Sequence, residues 1–381
     1  MINSQKHLFS LPEDSIYLNC AYMSPMLKSV EEVGQKALLQ KRAPHQIIAE
    51  DFFNNGEKLR EAYAKLINVK DSKRIVTIAS VSYGISTVVN NVPLEKDDEI
   101  IVAEEQFPSN YYAWEKAASQ TGAAIKTIAP PSELQNRSKG WNENILNAIT
   151  PKTKVVTMAH VHWADGTLFD LIAIRKATRA VGALLIIDGT QSVGALPFDV
   201  EQIQPDALIC AGYKWLMGPY AIGLAYYGAY FDGGNPIEEN WINRKESQNF
   251  ANLVNYASEY QPGALRYGVG EQSNFNLVPM LIAALNQLNE WQPKNIEQYC
   301  KSISHESVKS LREAGFYIED DAYRGKHLFG IRIPAHLNID DINQKLKAAN
   351  IYVSIRGNAI RVAPHLYNDP SDFDKLLDVL L

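Results

Sequence analysis

A chain of 381 residues is too long for one small core and suits a large domain joined to a smaller one. Its 37 lysines and arginines against 43 aspartates and glutamates give a net charge of -6, and no basic run interleaved with aromatics occurs. That balance sets aside a nucleic-acid or anionic-membrane binder, and a hydrophobic share of 46% sets aside general disorder. The opening stretch MINSQKHLFSLPEDS lacks the apolar centre of a signal peptide, and no apolar run is long enough for a bilayer. Cys20, Cys210 and Cys300 are odd in number and far apart, with no CxxC spacing, which points to a reducing cytoplasm and a soluble protein.

Residues 29–42 and 57–68 are rich in helix formers, with apolar positions every three or four residues. Short apolar runs follow at 75–78, 100–102, 155–158, 184–187 and 207–210, mostly separated by helix-like segments. This alternation predicts an α/β domain with a mainly parallel sheet. Ligands of such sheets sit beyond the carboxyl ends of the strands. The stretch 228–261 is a long polar and aromatic connection of the kind that carries function. Helical patterns at 276–291, 296–314, 340–349 and 371–380, with short strands at 328–333 and around Val353 and Ile360, predict a compact C-terminal α+β unit. The expected division is a large domain over residues 15–270 and a small one over 271–381, the latter joined by the N-terminal segment 1–30.

The residues after the strands carry the chemistry. Asp188 ends the run 184–187, where a partly desolvated carboxylate needs a cationic partner. A protonated pyridine nitrogen is one such partner, and a cap on the next turn is the plainer alternative. Lys214 lies between Tyr213 and Trp215, with Gly212 and Gly218 allowing close backbone approach. Burial there would lower its pKa and make the amine a nucleophile toward an aldehyde, whereas a snorkelling surface lysine is the commoner fate of the residue type. His160-x-His162 has the spacing of two ligands on one strand face, but no third ligand cluster accompanies it.

Taken together, IIDGTQSVGALPFDV and PDALICAGYKWLMGPYAIGLAYY resemble the class V aminotransferase family of fold-type I enzymes dependent on pyridoxal 5′-phosphate (PLP). The resemblance runs from YLNCAYMSP to IRVAPHLYN and includes cysteine desulfurases, kynureninases and isopenicillin-N epimerase-like proteins. It implies a Schiff base between PLP and Lys214, with Asp188 on the pyridine nitrogen and Gln191 on the phenolic oxygen. It further implies a phosphate cradle at the helix N-terminus formed by the Val81 backbone and Ser82, with Tyr213 as a phosphate contact. Phe107 becomes the ring stacked on the cofactor, and Arg361 binds the substrate carboxylate, with Arg356 as its rival. Trp163 stands where relatives carry Asn, which suggests a substrate-facing role. Glu271 stands where relatives carry Thr or Ser, and its charge would repel a phosphate, leaving Ser273 or a nearby backbone N–H for that contact.

The expected function is therefore a PLP enzyme acting on an α-amino acid, aminotransferase-like first. The alternatives are a kynureninase-like or other lyase, an epimerase, and a non-catalytic protein using the same fold for binding. A cysteine desulfurase is less expected, because VSIRGNAIRV has no cysteine and no loop before Arg361. A homodimer is implied by resemblance. A nucleotide enzyme is disfavoured, since the only G-x-G, at Gly268 and Gly270, lacks a third glycine and no GxxxxGK[ST] exists.

Overall fold

The computed structural model describes residues 2–381, in which the short apolar runs become the strands of a seven-stranded sheet. In chain order, β1 (Ile16–Tyr17), α1 (Lys28–Gln40) and α2 (Asn54–Leu66) precede it. The alternation then runs β2 (Ile75–Ile78), α3 (Val81–Asn90), β3 (Glu99–Ala103), α4 (Tyr112–Thr121), β4 (Ala124–Ile128), α5 (Arg137–Ala148) and β5 (Thr153–Ala159). It continues with α6 (Leu171–Val181), β6 (Leu184–Asp188), the short α7 (Val200–Ile203), β7 (Ala207–Ala211) and β8 (Gly223–Tyr227).

The strand order is β2-β8-β7-β6-β5-β3-β4, and β8 alone runs against its neighbours. The carboxyl ends of β2, β5, β6 and β7 thus lie at one edge. Alternation of side chains puts Leu185 and Ile187 into one apolar cluster and Leu184 and Ile186 into the other. Both faces are covered, as a mainly parallel sheet requires. The edge strand β4 escapes a search for continuous apolar runs because none of its side chains is fully buried.

Local signals set the boundaries that matter for the site. Asp170 caps α6 by accepting from the Ala173 N–H at 2.9 Å, and Gly182, with φ +75°, ends the helix two residues before β6. In α3, a Cβ on Gly84 would come within 2.7 Å of Ile209 Cγ2, so the glycine lets this helix lie close against the sheet.

Beyond the sheet, the connection 228–261 forms short 3₁₀ turns and an antiparallel bridge between Arg244 and Tyr260. Then α8 (Leu277–Trp291) packs against α1 and α2, and Gln292 and Pro293 mark the break before α9 (Pro293–Glu313). The chain finishes with β9 (Phe329–Arg332), α10 (Ile339–Ala348), β10 (Ile351–Tyr352), β11 (Ser354–Arg356), β12 (Ala359–Val362) and α11 (Pro370–Leu380). Strands β11, β12 and β9 form an antiparallel sheet, while β1 pairs in parallel with β10. The N-terminal segment is thereby tied to the C-terminal unit. No helix of the described residues is long and apolar enough to cross a membrane.

Candidate active site

The strand ends open onto a cavity of about 330 Å³ lined by residues from five places in the chain, among them Ser82, Phe107, Asp188, Gln191 and Lys214. Against it lies a second cavity of about 410 Å³, which Arg356 and Arg361 line from the C-terminal sheet. Phe107, Trp163, Tyr213, Lys214 and Tyr220 belong to both walls. The sequence-predicted residues Val81, Ser82, Phe107, Asp188, Gln191, Tyr213, Lys214 and Arg361 are therefore brought together around one continuous space.

Lys214 sits in the tight connection between β7 and β8, closed at its base where the Gly212 N–H donates to the Ile222 carbonyl at 2.9 Å. Met217 (φ 57°) and Ala221 (φ 65°) occupy left-handed conformations in this connection, as does Glu105 (φ 51°) before Phe107. Non-glycine residues held this way store strain that the surroundings must enforce, and such strain gathers at functional sites. The lysine is only 7% exposed, and its ammonium makes no ion pair among the described residues. Its Nζ lies 5.4 Å from the Phe107 ring centroid and 5.6 Å from that of Tyr213. Burial lowers its pKa to about 8, opposed by Asp188 and assisted by Arg361 and Arg356. The amine is thus poised to act as a nucleophile near neutral pH.

Asp188, the last residue of β6, is buried, and its Oδ1 accepts from the Thr190 N–H at 2.9 Å. Burial raises its pKa, and neither its turn partner nor Lys214 fully offsets the loss of water. A buried carboxylate without a cation in contact fits a protonated ring nitrogen.

Ser80 caps α3 by accepting from the Tyr83 N–H at 3.1 Å. Its role leaves the N–H groups of Val81 and Ser82 without a protein acceptor among the described residues, at a helix N-terminus facing the cavity. The donor set suits a phosphate. The cap is Ser80, and the two free N–H groups belong to the next two residues.

Gln191 is more heavily committed than its sequence suggests. Its Nε2 donates to the Ala21 carbonyl at 3.1 Å, and its Oε1 accepts from Trp215 Nε1 at 2.9 Å. The backbone carbonyl of Gln191 contacts His327 Nε2 at 2.7 Å. One Nε2 hydrogen remains for a contact inside the cavity.

Tyr213 is half-buried beside Tyr220, with ring centroids 4.5 Å apart, and burial raises its pKa. Trp163 donates from Nε1 to the Glu105 carbonyl at 2.7 Å and meets Phe107 edge-on at 5.5 Å. Arg361, 1% exposed, donates to the Trp163 carbonyl at 2.8 Å and to Ser354 Oγ at 3.2 Å, and its Nε has no partner.

The histidine pair does not share a strand face. β5 ends at Ala159, so the alternation behind that expectation stops short of both residues. His162 contacts Asp165 Oδ1 at 3.2 Å and the Glu105 carbonyl at 3.3 Å, while His160 packs on Phe198 at 5.5 Å. Among the described residues no group of three or more His, Cys, Asp or Glu is arranged to hold a metal. Ser273 donates its hydroxyl to the Phe52 carbonyl at 2.7 Å, and Glu271 is exposed with φ 58°. Thr190, Ser109 and Tyr220 line the cavity unforeseen, of which only Thr190, inside DGTQ, carried a local signal.

Residues 26–366 match the family described as Aminotransferase class-V. The chain belongs to this family. The class V aminotransferases are PLP-dependent, and PLP is the cofactor. The chain is similar to the uncharacterized aminotransferase YcbU of Bacillus subtilis (strain 168), at 25% identity over 84% of this chain and 82% of that protein. It is similar also to a probable cysteine desulfurase of Borreliella burgdorferi, at 23% identity over 96% of this chain and 87% of that protein. Among solved structures, the complex of the cystine C–S lyase C-DES with its reaction product cysteine persulfide superposes with a TM-score of 0.85. That match has 22% identity and covers 97% of both chains, which shows the fold: a fold-type I PLP enzyme.

Proposed function

We propose that this class V aminotransferase-like enzyme carries PLP on Lys214 and removes the α-proton of an amino acid, with transamination as the leading reading. The observation that carries it is the Lys214 amine: buried, without an ion pair among the described residues, lowered to about pKa 8, and set between the cavity with Asp188 and the cavity with Arg361.

In this reading the Val81 and Ser82 N–H groups and the Tyr213 hydroxyl would hold the phosphate, and Phe107 would lie against the ring. Asp188 keeps a proton on the ring nitrogen, and the remaining Gln191 Nε2 hydrogen serves the phenolic oxygen. PLP supplies an electron sink that makes the α-carbon acidic. Arg361 fixes the substrate carboxylate and so sets which bond is presented. Lys214 moves the proton at the α-carbon. Phe107, Trp163 and Tyr213 keep water from the reacting carbon.

A lyase reading has its own support in a relative named as a probable cysteine desulfurase. A desulfurase that relays sulfur through its own thiol needs an accessible cysteine. Here Cys20, Cys210 and Cys300 are all buried, burial pushes the Cys20 thiol up to about 12, and residues 357–358 form a bare turn between β11 and β12. A sulfur-cleaving lyase would have to release its product directly.

Incubating the holoenzyme with a panel of amino acids, with and without a keto-acid acceptor, tests this. Acceptor-dependent amine transfer supports transamination. Keto acid and ammonia formed without an acceptor make the chain a lyase, and no reaction with any amino acid, despite bound cofactor, overturns the enzymatic reading.

A further inference from the structure

We propose that Arg356, braced by Trp163, is a second anion-recognising residue, so that the preferred substrate is an α-amino acid whose side chain ends in an acidic group. This rests on the reading that Arg361 takes the α-carboxylate.

The geometry begins with the hairpin register. Ser354 pairs with Arg361 and Arg356 with Ala359, which makes Arg356 and Arg361 diagonal neighbours on one sheet face. Diagonal pairs in antiparallel strands are separated by about 7–8 Å. Both line the same cavity, and both are fixed by Trp163: Arg361 donates to its carbonyl at 2.8 Å, while the Arg356 guanidinium lies 5.1 Å from its ring centroid. Stacking on an indole restrains a planar guanidinium without consuming its donors.

All but one of those donors are free among the described residues. Arg356 gives one Nη1 hydrogen bond to the Ile355 carbonyl at 2.8 Å, and its Nε is without a partner. No acid answers the charge. The cavity is lined by Lys214, Arg356 and Arg361 and by no carboxylate, and neither arginine forms an ion pair among the described residues. Arg356 is one of the charges that lower the pKa of both Arg361 and Lys214, as expected of cations sharing a poorly solvated space. With Lys214 engaged by the cofactor, Arg356 and Arg361 would be the two fixed positive charges left to face the substrate. An α-carboxylate offsets one of them, and a side-chain carboxylate or sulfinate offsets the other.

The test compares acidic substrates (aspartate, glutamate, cysteine sulfinate) with neutral ones of similar size (alanine, serine, norvaline) in wild type and Arg356→Gln. The expected result is a ratio of kcat/KM, acidic over neutral, that falls about ten- to hundredfold in the variant, the range set by a charged hydrogen bond. A ratio that stays the same overturns the proposal. Titration of Lys214→Met, which removes the third cation lining this cavity, with succinate and with butyrate, followed by tryptophan fluorescence, needs neither turnover nor bound cofactor. Succinate binding at least about tenfold tighter supports a second anion site, and equal binding removes it. If no cofactor band forms on wild type, the Lys214 reading fails on that separate observation while the succinate comparison still decides for or against Arg356.

Discussion

The two halves of the cavity are built differently. The half around Asp188 and Lys214 is made of strand ends and tight turns closed mainly by local contacts, such as Asp188 with Thr190 and Gly212 with Ile222. Gln191 is the exception in reaching Ala21 and His327. The half around Arg361 is assembled from the C-terminal hairpin, Trp163 and the N-terminal Asn19. One half draws most of its order from turns that close on themselves. The other exists only when distant segments meet. Cofactor chemistry is therefore the more constrained property of this chain, and substrate choice the more adjustable one.

The largest effect should come from the cofactor half. Lys214→Ala is expected to abolish the visible absorbance band that borohydride removes and to lower turnover by on the order of 10³-fold. A band that survives in this variant would break the comparison at its first point. On the substrate side, Arg361→Gln is expected to lower kcat/KM by about ten- to hundredfold while the band remains, since a charge-assisted contact is lost but the cofactor stays anchored. Loss of the band in Arg361→Gln would show that the halves are not separable.

The Lys214 amine sharpens the same distinction through pH. With a folded pKa of about 8 against an ordinary 10.5, the unfolded chain binds more protons between these values. The cofactor-free protein should therefore gain stability as pH rises from about 8 towards 10.5, and Lys214→Met should flatten that rise in denaturant titrations. Below about pH 8, the rate of cofactor loading should fall roughly tenfold per unit as the neutral amine becomes scarce. The smallest effect is expected for Trp215→Phe. It deletes the hydrogen bond to Gln191 Oε1, at a cost of about 1 kcal/mol in stability, with a modest shift of the visible band as Gln191 loosens.

The sequence is legible where the structure is local. The buried strands β2, β5, β6 and β7 stand out as apolar runs, and Asp188 and Lys214 stand out because each ends or follows one. The edge strand β4 does not, since its half-exposed side chains give no continuous apolar signal. The His160 and His162 pair misleads because spacing alone cannot show that β5 has already ended. The bonding of Gln191 to Ala21, Trp215 and His327 is equally invisible, because two of those partners are more than a hundred residues away. Arg356 is visible as a residue but not as a neighbour of Trp163, a relation that only tertiary packing creates.

The stretch from Asn19 to Ser24 works as a seam. Asn19 Oδ1 accepts from Ser354 Oγ at 2.9 Å and from Arg361 at 3.4 Å, the Ala21 carbonyl accepts from Gln191, and the Ser24 N–H donates to the Tyr213 carbonyl at 3.0 Å. Asn19 and Arg361 are 342 residues apart. Such closure is costly in chain entropy and slow to form. On the ribosome, the turn around Asp188 can fold long before the Arg361 end of the cavity has been made, and Asn19 must wait for strands that emerge hundreds of residues later. A nascent chain would then gain its cofactor-binding turns first and its grip on a substrate only near the end of synthesis.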